Sequence, residues 1–299
     1  MMNYISHASK MTGRRLPVVR ALLMMSALFA LSSASAASNF VTPDGSSLVK
    51  TTIELPLQGV TLEYKANVRL LQVLDDANTS SNENASGSIG YFPLSAQLFD
   101  KTNAEANESN KANKDIEAKK RNVFNQLDAF AVEEPEAKLV RQQLASFQYL
   151  NRVFIELDRN AVISQSDKNP LLVSSSHTNK SSTSQTQMFS LYLPQRPTSI
   201  QLMGAMKESV TMNLIEHGTL NDYLDALPNG FMGESADKSV AYVVQPDGVV
   251  QTIQYAYWNE QPVYLAPGAI VFMAFYSLPS EYSTLNQDIV DLLRHKVGL

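Results

Sequence analysis

Between residues 51 and 64 apolar and polar positions alternate: Ile53 and Leu55, then Val60, Leu62 and Tyr64, with Pro56 and Gly59 bounding the gap. Alternation on both sides of a Pro/Gly turn predicts a β-hairpin. From Val68 the period changes to three and four, with Leu71 and Leu74 on one side, which predicts a helix. Strand, turn, strand, helix is the opening of a small α+β unit. Residues 77–90 are rich in Ser, Asn and Gly and predict a loop, after which Tyr91-Phe92-Pro93-Leu94 resumes the fold. Helical spacing returns at 111–131, through Ile116, Val123, Leu127 and Phe130, and at 135–150, through Val140, Leu144 and Phe147. The break at Glu133-Glu134-Pro135 suits a proline in a first helical turn, and so short a connection predicts an antiparallel helical hairpin. Residues 151–157 then read as a strand. Residues 174–187 are too polar to pack and predict a loop, and 191–197, with Pro194 and Pro197, predict an extended linker.

A second unit of similar order follows. Residues 200–203 and 210–214 alternate as strands, and Thr219 stands where a cap belongs for a short helix through Leu220, Tyr223, Leu224 and Leu227. Residues 240–244 and 249–258 flank Gln245-Pro246-Asp247-Gly248, a turn sequence, and predict a second hairpin. Residues 269–275 are continuously apolar, as in a strand buried on both faces. The tail, 283–299, carries Leu285, Ile289, Leu292, Leu293 and Val297 on one face and charged or amide residues elsewhere, an amphipathic helix with Arg294 and Lys296 near its C-terminal end.

Ahead of all this lies a segment of different character. Arg14, Arg15 and Arg20 precede an apolar run from Ala21 to Leu31, and Ala34-Ser35-Ala36 closes it, the tripartite layout of a cleavable secretory signal over 1–36. At 299 residues the chain is about the size at which one core gives way to two, so the remainder is expected to form two compact parts, 37–193 and 194–279, with the tail helix over 280–299. Loss of the signal removes four basic and no acidic residues, leaving 20 Lys and Arg against 29 Asp and Glu, a formal charge of −9. So negative a surface repels phosphodiester backbones, and nucleic acid is not an expected partner. Cysteine is absent, which excludes disulfides, thiolate metal sites and a cysteine nucleophile. No apolar run beyond the signal approaches about 20 residues, so no transmembrane helix is expected after its removal.

Chemistry is sparse. His177, His217 and His295 have no partners at ligand spacing and read as surface residues, so no metal is expected. Phosphate-loop, dinucleotide and nucleophile-elbow motifs are absent, and no cofactor is expected. Two carboxylates for glycoside chemistry need only meet in space, and Asp158, Asp222, Asp225 and Asp247 are available. Turn positions for Asp158 and Asp247, and the solvated side of a helix for Asp222 and Asp225, explain them more simply. Tyr255, Tyr257 and Trp258 could form a stacking platform for sugar rings. Strand alternation, with Tyr255 and Tyr257 on one face and Trp258 on the other, favours packing into the core for at least one set. Arg152 stands out because it opens a strand beside Val153, Phe154 and Ile155, where an arginine is costly to bury without partners. It is either an exposed strand end, a tie between the hairpin and the sheet, or a bidentate reader of an acidic sugar.

Arg196-Pro197, Val243-Val244-Gln245-Pro246-Asp247-Gly248, Tyr257-Trp258-Asn259, Ala266-Pro267-Gly268-Ala269 and Leu285-Asn286-Gln287-Asp288-Ile289 together resemble the C-terminal half of the GfcC-type capsule biosynthesis proteins of Gram-negative bacteria. Tyr91-Phe92-Pro93, Arg152-Val153 and Leu157-Asp158 resemble the N-terminal half. The resemblance implies two tandem β-grasp (ubiquitin-like) domains, a helical hairpin of about 111–150 inserted in the first, and an amphipathic C-terminal helix. It also implies a periplasmic, non-enzymatic accessory protein for capsule or exopolysaccharide assembly or export. Its implied partners are the export machinery of the cell envelope and the polysaccharide itself. The alternatives are a polysaccharide-modifying enzyme with paired carboxylates and a plain carbohydrate-binding module. The family's central arginine falls on Arg152, preceded here by Asn151 where glycine is expected. Arg152, Tyr257 and Trp258 are the candidate binding or structural residues, none catalytic.

Overall fold

A computed structural model describes residues 49–82, 90–102, 111–175 and 186–298. The expected signal, 1–36, lies outside these residues, as do 176–185 of the polar loop, including His177, and 83–89 of the earlier one. The chain is mixed α/β, with two five-stranded sheets and, among the described residues, six α-helices.

The first sheet contains β1 (Lys50–Leu55), β2 (Val60–Tyr64), β3 (Gln97–Asp100), β4 (Asn151–Val153) and β5 (Thr186–Tyr192), in the order β2-β1-β5-β3-β4. The first hairpin pairs as its alternation requires, with Ile53 opposite Leu62 and Gly59 at φ 67° in the turn. Helix α1 (Leu70–Asn82) runs further than expected, because Ala77 extends the buried stripe of Leu70, Val73 and Leu74 by one more turn. Strand β5 is the main departure: Leu191 and Tyr192 belong to it rather than to a linker, and it lies in the middle of the sheet, parallel to β1 and antiparallel to β3. Its polar start is buried at no loss of hydrogen bonds. The Gln187 side chain accepts from Ser174 N–H at 2.5 Å and donates to Asn67 Oδ1 at 2.6 Å, so amide pairing replaces apolar contact there. Strand β4 ends at Val153, short of the expected 157, and leads into α4 (Arg159–Ser164), where Asp158 is an N-cap rather than a turn residue and accepts from Asn160 N–H at 2.9 Å.

Helices α2 (Lys111–Phe130) and α3 (Glu136–Ala145) form the hairpin between β3 and β4. Although they leave from the first sheet, they pack on the second. That sheet contains β6 (Ser199–Gly204), β7 (Val210–Asn213), β8 (Ala236–Val244), β9 (Val250–Gln254) and β10 (Ile270–Phe275), in the order β7-β6-β10-β8-β9, the same pattern as the first. Strand β10 is buried on both faces because each has its own cover. Val271 and Met273 meet Leu220 and Tyr223 of α5 (Leu220–Asp225), while Ile270, Phe272 and Ala274 meet α2, α3 and α6 (Leu285–Leu293). Gln143 fixes the hairpin to the sheet with both ends of its amide, accepting from Gly204 N–H at 2.8 Å and donating to Gly204 O at 3.2 Å. Gly204 sits at φ 115°, and a side chain there would strike the Met273 backbone.

Helix α6 buries Leu285, Ile289, Val290, Leu292 and Leu293 and ends earlier than the expected 283–299. The tail instead pairs with the segment after α3: Leu150 N–H donates to His295 O at 3.1 Å and Val297 N–H to Gln148 O at 2.9 Å. Gln97 of β3 donates to Lys296 O at 3.4 Å and accepts from Gly298 N–H at 2.9 Å, which ties the tail to the first sheet as well.

Candidate functional site

Arg152 is 7% exposed and stands where the two sheets and the C-terminal tail meet. Strand β4 places it opposite Phe99 of β3, so its stem enters from the first sheet. Nη2 donates to Pro246 O, in the β8–β9 turn of the second sheet, at 2.6 Å, and to Ala96 O of the first at 3.5 Å. Nη1 donates to Arg294 O at 3.5 Å, and the Arg152 backbone N–H donates to His295 Nδ1 at 3.2 Å. One residue thus bonds both sheets and the end of α6, all through carbonyls and one imidazole. Burial pulls its guanidinium down to about 10, Asp247 opposes this, and Arg294 adds to it.

Two residues beside it were read from the sequence as exposed positions on the tail. Arg294 donates from Nε to Gly248 O at 2.8 Å and lies over the Phe154 ring at 4.5 Å, with the Arg152 guanidinium over the same ring at 5.5 Å. His295 is half-buried rather than on the surface, and meets Phe154 edge-on at 5.5 Å. Burial pushes its imidazole down to about 4, helped by Lys119, Arg294 and Arg152 and opposed by its hydrogen bond to Leu150. The only sequence signal was the basic triplet Arg294-His295-Lys296 after an apolar stripe, which helix-dipole reasoning explained too easily.

A cleft of about 480 Å³ opens beside this junction, lined by Arg152, Phe154, Glu156, Asp158 and Asp247 and floored by Phe92, Pro93 and Leu94. It has the size of a small-ligand site. Its acids already have tasks. Asp247 Oδ1 accepts from Val249 N–H at 2.9 Å, Asp158 caps α4, and Glu156 accepts from Asp158 N–H at 3.1 Å and from Lys168 Nζ at 3.0 Å. Those bonds hold Glu156 below the usual carboxylate range, the reverse of what a general acid requires. The cleft therefore offers a guanidinium beside an aromatic ring and acids already engaged in hydrogen bonds, an arrangement suited to polar recognition.

Tyr257 and Trp258 are elsewhere. Strand β9 stops at Gln254, so the alternation that favoured core packing does not reach them; they are 89% and 65% exposed and meet edge-to-face at 4.8 Å. Tyr255 alone turns inward, its hydroxyl donating to Asp237 O. His217 is exposed at φ 58°, and Asp222 is exposed and accepts from the backbone and hydroxyl of Thr219. Among the described residues no group of three or more His, Cys, Asp and Glu is placed to hold a metal ion.

Residues 208–298 match the family described as capsule biosynthesis GfcC C-terminal. The C-terminal part of the chain is thus similar to this family. The GfcC match runs from just before β7 to the tail, and so includes the turn at Pro246, the aromatic pair and Arg294, but not Arg152. The chain is also 27% identical, over 160 residues, to the uncharacterized protein YjbG of Escherichia coli K12, an alignment covering 53% of this chain and 59% of that relative. This similarity suggests a capsule-related context, and no helix among the described residues is long and apolar enough to cross a membrane.

Proposed function

We propose that this chain is a periplasmic, non-enzymatic accessory protein in the assembly or export of a capsular or other surface polysaccharide, delivered by the signal at 1–36. The observation that carries this reading is the GfcC match over 208–298. The shared strand order of the two sheets, each with a hairpin and a helix ahead of its central parallel pair, supports tandem β-grasp domains as its scaffold. On this reading Arg152 holds the two halves and the tail in one arrangement, so that partners in the export machinery meet a fixed surface. Deleting the gene and measuring the amount and chain length of surface polysaccharide tests the role. Loss or shortening, restored by the wild-type gene, is expected; unchanged polysaccharide overturns it.

A carbohydrate-binding role is favoured by one specific observation, the outward-facing Tyr257–Trp258 pair, since sugar rings stack on such faces. The carboxylate-enzyme reading draws on Glu156, Asp158 and Asp247 sharing one cleft. Incubating purified protein with the polysaccharide and following its reducing ends or mass separates these: a new product supports the enzyme, and retention without a product supports binding.

A further inference from the structure

A second cavity, of about 560 Å³, lies where the end of α3, residues 196–201 and the β7 edge meet Lys296 and Val297. No Asp or Glu stands among the described residues that line it, in a chain with 29 acids. Its two charges are cationic: Lys296, which is 6% exposed, and Arg196 at the rim, stacked 5.4 Å from Phe92. Lys296 Nζ donates to Gly298 O at 3.2 Å and lies 5.0 Å from the Phe147 ring; no carboxylate pairs with it among the described residues. An ammonium so enclosed is costly to keep charged without a counter-ion. Burial pulls it down to about 8, and a bound anion would reverse that shift.

We propose that this cavity is a subsite for the carboxylate of an acidic sugar, with Lys296 as its counter-charge. One buried ammonium matches one carboxylate, and Arg196 at the mouth adds a second, exposed attraction. The remaining lining, Ser146, Gln148, Thr198 and Gln201 among it, offers the hydroxyls and amides that hydrogen-bond a sugar ring. Phosphate fits less well, because among the described residues no helix N-terminus, the usual cradle for it, lines the cavity. The site shares no lining residue with the Arg152 cleft, and only the choice of a sugar as carrier rests on the proposed function.

The test titrates the mature protein with sodium glucuronate, glucose and inorganic phosphate, read by calorimetry and by the NMR signals of residues 146–148 and 296–298. Glucuronate should bind at least tenfold more tightly than glucose or phosphate, Lys296→Gln should weaken it tenfold or more, and Arg196→Gln should weaken it several-fold. Because Arg196 is exposed, its variant keeps the test alive should Lys296→Gln fail to fold. Equal binding of glucose removes the need for the charge, and equal binding of phosphate removes the sugar. Saturable binding indifferent to both variants, or no binding, overturns the site. A failed titration alongside lost polysaccharide in the deletion strain rejects this subsite and leaves the accessory role standing.

Discussion

Replacing Arg152 by Met separates a guanidinium that holds the molecule together from one that only occupies the junction. Methionine keeps an unbranched stem and removes the fork. The bond to Pro246 O at 2.6 Å is the strong one, while those to Ala96 O and Arg294 O at 3.5 Å stand at the limit of hydrogen-bonding distance and contribute little. A charge-assisted bond contributes about 1.5–3 kcal/mol, and leaving a buried carbonyl unpaired costs about 1–3 kcal/mol, two figures that describe one loss and do not add. Removing a buried charge gives back part of its desolvation, so the net destabilisation expected is about 2 kcal/mol. Arg152→Lys should recover about half, since a single ammonium can reach Pro246 O but cannot bond both sheets and the tail. Equilibrium urea unfolding followed by circular dichroism reads this as a lower midpoint at unchanged slope. Trp258 fluorescence would be a poor probe, because that side chain is already exposed. Amide exchange at 295–298 should quicken in parallel, since those residues share the junction. An Arg152→Met protein within about 0.5 kcal/mol of wild type, with unchanged exchange, would refute the clamp and leave recognition in the cleft as the reason for the arginine.

Three further outcomes follow from the same geometry. His295 titrates at about 4 in the folded chain against its usual 6.5, so the unfolded chain binds the extra proton in between. Stability is therefore full above about 6.5 and falls by about 1–2 kcal/mol, after allowance for screening, as pH drops towards 4; His295→Gln should flatten that slope in urea midpoints taken from pH 7 to 4. Leu292 of α6 is fully buried in the core shared with the hairpin and β10, so Leu292→Ala should cost about 2–5 kcal/mol and Leu292→Asp should prevent stable folding, both checked by thermal melts. The double variant Tyr257→Ala, Trp258→Ala should leave stability within about 0.5 kcal/mol while reducing retention on immobilised polysaccharide; retention equal to wild type would dismiss the platform.

Much of the architecture could be read where one periodicity was strong. The first hairpin, the α2–α3 pair, β10 and the apolar stripe of α6 each carry a clear repeat, and each forms. What escaped was set by distant partners. The start of β5 looks like loop because Gln187 is polar, and its bonds to Ser174 and to the distant Asn67 and Thr51 make it a central strand residue. Strand β4 and the tail residues 295–298 are shaped by pairing across more than 140 positions, which no local pattern encodes. Arg152 could be singled out from its apolar neighbours, but its acceptors could not: Pro246, Ala96 and Arg294 offer backbone carbonyls, and every residue has one. His295 was misplaced for the same reason, since a lone histidine on a basic tail gives no sign that the tail turns back under β4.

The hairpin and the tail also decide what the C-terminal helix can do. Helix α2–α3 starts and ends in the first sheet yet lies in the core of the second, and α6 fills the space between them. Five buried side chains, at about 1.5–3 kcal/mol each, make detachment of α6 cost roughly 10 kcal/mol. Detachment must also break the His295 and Arg294 contacts with Arg152, the pairing with residues 148–150, and the Gln97 bonds to the tail. The entropy regained by a freed helix offsets part of this, but the cost keeps any spontaneously released population small. If α6 ever acts outside this body, in a membrane or against another protein, the partner must replace that buried surface as it forms, and the Arg152 junction must open in the same step. Loosening the junction by mutation should then ease the helix outward and weaken the body together, so release of α6 and integrity of the Arg152 site cannot vary independently.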